Sequence, residues 1–458
     1  MDAVFDIAKN TVNLRYEDIP PEIVDLTKKS VLDTLGVIAG ASTMGQGCQE
    51  IVNLIKGSGA KGKSTIIGYG GRVPSWMAGF ANGSMVHQLD YDDVGGAGHP
   101  AACTVPTAFA VAEEVGGING KELIVAVASA VDLNCRIGLA INQEFLQTGW
   151  FLPPLIGYFT ATAVAGRILG LSEDGMVNAF GHVYQQAAGN HQVSYSPGSV
   201  FRGIRDGFSI KAGILSALMA KMGLPGTKDT LEGKAGLFDL YFNGAYDRSY
   251  LTGELGKKFY NTELVGFKRW PSCGRTHGAI DATVDIVSEH NIQPDDIDEI
   301  RVLAGGSMGH QAEASDSRRR PQTVIDAKFS MHFTLGVAAN RKKVLIKDFT
   351  LDGLKDPAVL DMAQKVSMKV DPGLKDNPNS TIVEIKTKNG QQYSKRVDIP
   401  YGRAGGKPIA KEDLVTKFRD CVSFSAKPLS KSKADKVIGL VDNLEEVKDV
   451  SRIIRMLG

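Results

Sequence analysis

The sequence predicts a mainly α protein, a large all-helical domain followed by a smaller α+β domain. Two observations carry the prediction. From Pro20 to about residue 260 the apolar residues recur at helical spacing in segments rich in alanine, leucine and glycine. After about residue 266 the period changes to alternation, in DEIRVLAGG and in STIVEIKTKNGQQYSKRVDI, where Asn389-Gly390 is a two-residue hairpin signal. The expected division is 1–265 helical, 266–404 α+β, and 405–458 as helices returning to the first domain.

Along the chain, PPEIVDLTKKSVLDTLGVIAG places Ile23, Leu26, Val31, Leu35 and Ile38 on one side of a helix, with prolines before it and a glycine at its end. Segments around 101–115, 154–170 and 207–222 have the small-residue composition of helices packed on several neighbours. Residues 123–142, LIVAVASAVDLNCRIGLAIN, are apolar enough to resemble a membrane span. Asp132, Asn134 and Arg136 at its centre make bilayer insertion expensive, and a buried helix is expected instead. Among the later strands, DAKFSMHFTLGVAANRK and DPAVLDMAQKVSMKV read as helices. After YGRAGGKP the chain turns helical again in KEDLVTKFRDCV and KADKVIGLVDNLEEV.

The 458 residues carry 52 Lys and Arg against 51 Asp and Glu, a net charge of +1, so the balance recommends neither nucleic acid nor an anionic membrane as partner. The five cysteines are scattered, odd in number and without C-x-x-C spacing, which argues against a disulfide framework or a zinc ribbon and fits a reducing, cytoplasmic setting. The first twenty residues carry early acids and no continuous apolar core, and predict neither a signal peptide nor an anchor.

GSGAKGKS, residues 57–64, fits the P-loop pattern letter for letter. A phosphate-binding loop follows a strand and opens a helix. Here amphipathic CQEIVNLIKG precedes it and β-branched TIIGYG follows, the reverse order. A basic surface turn is expected.

Chemistry concentrates in NGSMVHQLDYDDVGGAGHPAACTVP, where His87, Asp90, Asp92, Asp93 and His99 fall within thirteen residues among glycines. Three readings are open. The aspartates and glycines build a polar loop and cap the helix beginning near Pro100. The His and Asp side chains ligate a metal, although no second acidic run matches the first. Or Asp90 orients His99, a pairing suited to proton abstraction from a carbon acid. The third reading needs cations, and two segments supply them: Arg202, Arg205 and Lys211 in GSVFRGIRDGFSIKAG, and Lys268, Arg269 and Arg275 with His277 in GFKRWPSCGRTHGAID. Cys273 and His277, four apart, admit a nucleophilic pair, but no oxyanion-hole motif accompanies them and a packed cysteine is the plainer reading. His182 and His191 are read as surface or satisfied-core residues.

Taken in order, HQLDYDD with GHPAACTVP, RGIRDG with KAG and LEGKAGLF, FKRWPSCGRTHGAIDA, RRRPQTVIDAKFSMHF, and PYGRAGGKP with KEDLVTKF resemble the MmgE/PrpD family over nearly the whole chain. That group includes 2-methylcitrate dehydratase, cis-aconitate decarboxylase and iminodisuccinate epimerase. The resemblance implies a helical domain with an α+β lid, a homodimer, an active site in the crevice between the domains, and neither metal nor organic cofactor. It implies proton removal beside a carboxylate of a small polycarboxylate. Asp90, His99, Lys268 and His277 match the family's catalytic positions.

The sequence also departs from the family. Val94 stands where decarboxylase-like members have threonine, and Phe151 or Leu152 where a G-[FW]-H-P motif supplies histidine. Arg202 replaces a lysine, Arg205 replaces a histidine, and arginine in RRRPQT stands near a substrate-facing tyrosine. Val94, Phe151, Arg202, Arg205 and Arg275 are the expected substrate-binding residues, with Arg202, Arg275 and Lys268 holding carboxylates. His99 is then the expected base, supported by Asp90, and His277 the acid. Dehydration is the first expected outcome, epimerisation or isomerisation the second, and a non-catalytic carboxylate-binding protein the third.

Overall fold

The computed structural model describes residues 1–141, 149–196, 199–305, 316–374, 377 and 380–458. The chain divides into two units, one of Met1–Gln88, Asp92–Gly266 and Lys411–Gly458, the other of Leu89–Tyr91 and Phe267–Ala410.

The first unit is built of helices, with one two-residue strand pair, Ser64–Thr65 against Arg72–Val73. Its hub is helix Phe201–Lys221, which packs on helices Ser75–Met85, Leu152–Ile168 and Glu173–Tyr184. Glycines set the closest of these approaches. A Cβ on Gly83 would lie 2.4 Å from Ile210 Cδ1 and 2.9 Å from the Gly207 Cα, and one on Gly207 would lie 2.6 Å from the Phe80 carbonyl oxygen. Only hydrogen fits at either position, so the two backbones meet there. That contact fixes the start of the hub helix, which carries Arg202, Arg205 and Asp206.

Helix Gly120–Ala140 is long and apolar enough to cross a membrane, and most of its apolar stretch is buried within this unit. Its polar centre is used. Arg136 pairs with Asp132 one turn away and donates to the carbonyls of Tyr250 (3.0 Å), Gly253 (2.9 Å) and Lys258 (2.6 Å). Asn134 Oδ1 accepts from the Ala97 N–H at 2.8 Å, pinning the Asp/His-rich loop from beneath. The P-loop-like octet lies between helix Cys48–Gly57 and strand Ser64–Thr65. Ser64 Oγ is buried and donates to the Ala110 carbonyl (2.6 Å), while Lys63 Nζ donates to that of Glu114 (3.0 Å).

The second unit holds a four-stranded sheet. Ile297–Ala304 lies between Val366–Val370, which it pairs in parallel, and Thr381–Thr387, which it pairs antiparallel; Gln392–Val397 continues the hairpin on the outer edge. Burial alternates along Thr381–Thr387, and helices His277–Glu289 and Met331–Arg341 cover the sheet. One expected element is corrected. DPAVLDMAQKVSMKV is helical only over Pro357–Gln364, and Val366–Val370 is a strand. Val366 and Met368 turn apolar side chains toward the core beside Ile297–Ala304, and pairing overrides the helical reading of so short a run.

His332, on helix Met331–Arg341, is fully buried and neither ring nitrogen has a hydrogen-bond partner. Burial, with Arg319 and Arg318 nearby, lowers its pKa to about 4.

Two stability predictions follow from these contacts. Gly207→Ala should cost about 1–3 kcal/mol through overpacking; an unchanged urea midpoint would contradict the backbone contact. For His332 the folded pKa lies below the unfolded one, so its contribution is present above pH ~6.5 and is lost as pH falls through about 4. The size is on the order of 3 kcal/mol, taking roughly 1.4 kcal/mol per pKa unit. His332→Phe should therefore flatten the thermal midpoint against pH below ~6.5, and equal slopes for both proteins would refute this.

Candidate active site

The three aspartates of HQLDYDD have three different employments. Asp92 is fully buried, and its carboxylate lies 3.0 Å from Nδ1 of both His87 and His99. Burial works against its charge, but the two imidazoles and their hydrogen bonds outweigh it and hold the pKa well below the usual carboxylate range. Asp93 caps helix Pro100–Val115, its Oδ2 accepting from the Ala101 N–H at 3.0 Å, and burial raises its pKa well above normal. Asp90 belongs to the second unit, where it pairs with Lys268 Nζ, which also donates to the Asp90 carbonyl at 3.0 Å. Asp90 has φ +49, the left-handed region, at which a non-glycine residue is strained.

This corrects one expectation. The carboxylate that orients His99 is Asp92, and the Asp93 carbonyl assists at 2.6 Å from the same Nδ1. A carbonyl oxygen can only accept, so Nδ1 carries the proton and the neutral ring keeps its lone pair on Nε2. His87 is buried against the same Asp92 oxygen, its ring centroid 4.5 Å from that of His99, and burial with the Arg205 charge lowers its pKa to about 3. The ligand atoms of His87, Asp92 and His99 lie within 4.8 Å of one another, a donor set suited to a divalent metal. The hydrogen bonds already account for the arrangement, since the His99 nitrogen nearest Asp92 is committed as a donor to the Asp93 carbonyl.

Arg205 is the second feature of this unit. It is 1% exposed, yet Nε and Nη2 have no hydrogen-bond partner. Its Nη1 donates to the Arg202 carbonyl, its guanidinium carbon lies 4.9 Å from the Phe151 ring centroid, and Asp206 is 3.7 Å from Nε. Phe151 precedes helix Leu152–Ile168, held by its N–H to the Gly189 carbonyl (2.9 Å), and meets His191 edge-on at 5.4 Å. Phe151 and Arg205 are therefore brought together. Arg202 is half-buried at the start of the same helix as Arg205. Val94 is half-buried, bonded through its backbone in both directions to Gly266. His182 bonds the Leu224 carbonyl and takes no part.

In the second unit, His277 opens helix His277–Glu289 and is fully buried. Its Nε2 lies 3.3 Å from the Ser272 carbonyl, while Nδ1 has no partner. Burial, then Arg403 and Lys268, hold its pKa well below normal. The Ser272 carbonyl can only accept, so Nε2 carries the proton of the neutral ring and Nδ1 is its acceptor. Cys273 is half-buried, and burial followed by Asp90 raises its thiol pKa, which disfavours the thiolate a nucleophile needs. Arg275 is exposed. The half-buried guanidinium here is Arg403, from the YGRAGGKP turn, which sequence reasoning quoted as a motif but did not assign.

The MmgE/PrpD N-terminal domain profile matches residues 6–249, and the MmgE/PrpD C-terminal domain profile matches residues 270–446. The chain belongs to the MmgE/PrpD family. Cis-aconitate decarboxylase of Aspergillus terreus is 25% identical over 470 residues, covering 97% of this chain and 94% of its own. The human cis-aconitate decarboxylase is 26% identical over 462 residues, with 97% and 92% covered. A cis-aconitate decarboxylase-like protein of Aspergillus oryzae is 25% identical, with 97% and 95% covered.

The hydrogen bonds to Nδ1 predict the tautomer of His99. Long-range 1H–15N spectra, assigned with His99→Gln, should show the neutral ring protonated at Nδ1; a proton on Nε2 would overturn the orientation argued above.

Proposed function

We propose that the chain is an enzyme that removes a proton next to a carboxylate of a small di- or tricarboxylic acid, with loss of water as the outcome. The observation that carries this reading is Arg205: a buried guanidinium whose Nε and Nη2 make no hydrogen bond and whose carboxylate neighbour Asp206 stands off at 3.7 Å, in the same unit as the His87–Asp92–His99 cluster and acting on it electrostatically. A buried charge is costly unless paired. A planar carboxylate is the partner that its fork fits.

His99 is the base. Asp92 and the Asp93 carbonyl orient it through Nδ1, present Nε2 to the substrate, and stabilise the imidazolium that forms when the proton arrives. The aspartate–histidine pairing thus works as the orienting half of a proton-transfer device. Phe151 lies under the Arg205 guanidinium, 4.9 Å from ring centroid to Cζ, and presents an apolar wall.

The relatives are named cis-aconitate decarboxylases, which makes loss of CO2 the second reading. That chemistry ends by delivering a proton to carbon. Loss of water instead begins with removal: Nε2 of the oriented His99 takes the proton from carbon, and that proton leaves with the hydroxyl as water, so the step balances on one histidine. Val94, Phe151 and Arg202 also alter contacts that the resemblance associates with the decarboxylase, and a lost polar partner changes discrimination strongly.

The test is a screen of di- and tricarboxylates and their 2-hydroxy forms by NMR in D2O. Loss of water with deuterium incorporation is expected; loss of CO2 would establish the second reading, exchange without net conversion an epimerase, and binding without exchange a carboxylate-binding protein. On the acid so identified, His99→Asn should lower exchange by roughly 10²–10⁴. Unchanged exchange would remove His99 from the mechanism.

A further inference from the structure

We propose that Arg403 is the carboxylate-binding cation of the second unit, the role that sequence reasoning assigned to Arg275. This inference rests on the carboxylic-acid reading above. Arg403 lies in the turn after the hairpin, where its N–H bonds the Pro400 carbonyl and the neighbouring Gly402 bonds both Lys407 and Phe267. The Gly402 carbonyl accepts from the Phe267 N–H at 2.7 Å, so the turn is tied to the chain one residue before Lys268.

From this turn the guanidinium reaches Gly274. A Cβ on Gly274 would lie 3.0 Å from Nη2 and 3.5 Å from Cζ. Any side chain there would press on the guanidinium, so the glycine of PSCGRTH makes room for an arginine about 130 residues later. Arg403 is the largest charged influence on His277, and Cys273 and Asp90 act on Arg403 in turn. The cluster therefore comprises Asp90, Lys268, Cys273, His277 and Arg403.

Its charge does not balance. Asp90 and Lys268 cancel as an ion pair. His277 is neutral and Cys273 is a thiol. Arg403 makes no side-chain hydrogen bond or ion pair among the described residues; burial opposes its charge, and Asp90, which acts favourably on it, is already paired with Lys268. One carboxylate would supply the missing charge and accept from both Nη atoms. Arg275, exposed on the neighbouring turn, has no comparable reason to wait for an anion.

Cys273 provides a reporter, because Cys48, Cys103, Cys135 and Cys421 are buried and it alone is half-exposed. Iodoacetamide labelling of Cys273, read by peptide mass spectrometry, is measured with and without malonate, a minimal dicarboxylate. Malonate should slow labelling in the wild type and in Arg275→Gln, and should not in Arg403→Gln. The affinity for malonate by calorimetry should fall at least about tenfold in Arg403→Gln. Arg403→Lys, which keeps the charge and loses the fork, should fall between, and it carries the test if the glutamine variant does not fold. Equal protection in wild type and Arg403→Gln, or no protection in either, overturns the proposal. Protection that depends on Arg403, in a protein that neither exchanges nor converts any acid, would keep the carboxylate site and remove the catalytic reading.

Discussion

The candidate chemistry depends on an ionised carboxylate buried against two imidazoles that share one of its oxygens. Asp92 has no access to solvent, so its charge survives only because His87 and His99 both turn Nδ1 toward it. That constraint propagates. It fixes the tautomer of His99, leaves Nε2 as the acceptor of the neutral ring, and requires the loop to bring both histidines to one residue. Gly95 and Gly98 bond one another's backbones, Asn134 pins Ala97 and Asp93 caps the following helix. An uncharged residue in place of Asp92 would keep much of this scaffold and lose the reason for it.

Against that satisfied centre, two arginines have few side-chain partners among the described residues. Arg205 is buried with two nitrogens that make no hydrogen bond and Asp206 3.7 Å from Nε, and half-buried Arg403 lies beside a glycine that admits it. A buried guanidinium short of hydrogen bonds costs stability. Buried Arg136 makes the contrast within the same molecule: its guanidinium meets one carboxylate and three carbonyls, as a purely structural arginine should. Arg205, by contrast, meets one carbonyl, one aromatic ring and a carboxylate at 3.7 Å, and two of its nitrogens make no hydrogen bond.

The fold class was legible because helical periodicity and the Asn389-Gly390 hairpin are local signals. Val366–Val370 was not, since five residues after a helix do not show a period and its partner strand lies more than sixty residues earlier. In the site, residue types were legible and partnerships were not. Spacing made Asp90 and Asp92 look alike, but the left-handed backbone at Asp90 separates neighbours that a regular strand or helix would keep in register. Arg275 sits in the motif richest in charged residues, whereas Arg403 lies in a turn more than a hundred residues later. The signal that could have found Arg403 was an arginine held in a glycine-rich turn, and its meaning depends on Gly274, which no local pattern connects to it.

The departures from the family pattern also look different in three dimensions. Read along the chain, Phe151 for a histidine and Arg205 for another are two separate losses, consistent with a decaying site. In the structure they touch, the guanidinium lying over the aromatic ring. A ring without polar atoms needs no hydrogen-bond partner at that wall, and its face is a favourable surface for a cation that must stay buried. Decay would not be expected to place its two substitutions against each other in a complementary pair. The exchange of two imidazoles for one guanidinium on one ring changes the local charge by a full unit at neutral pH and replaces polar atoms with apolar surface. Such a wall suits an acid that offers a carboxylate beside a hydrocarbon edge.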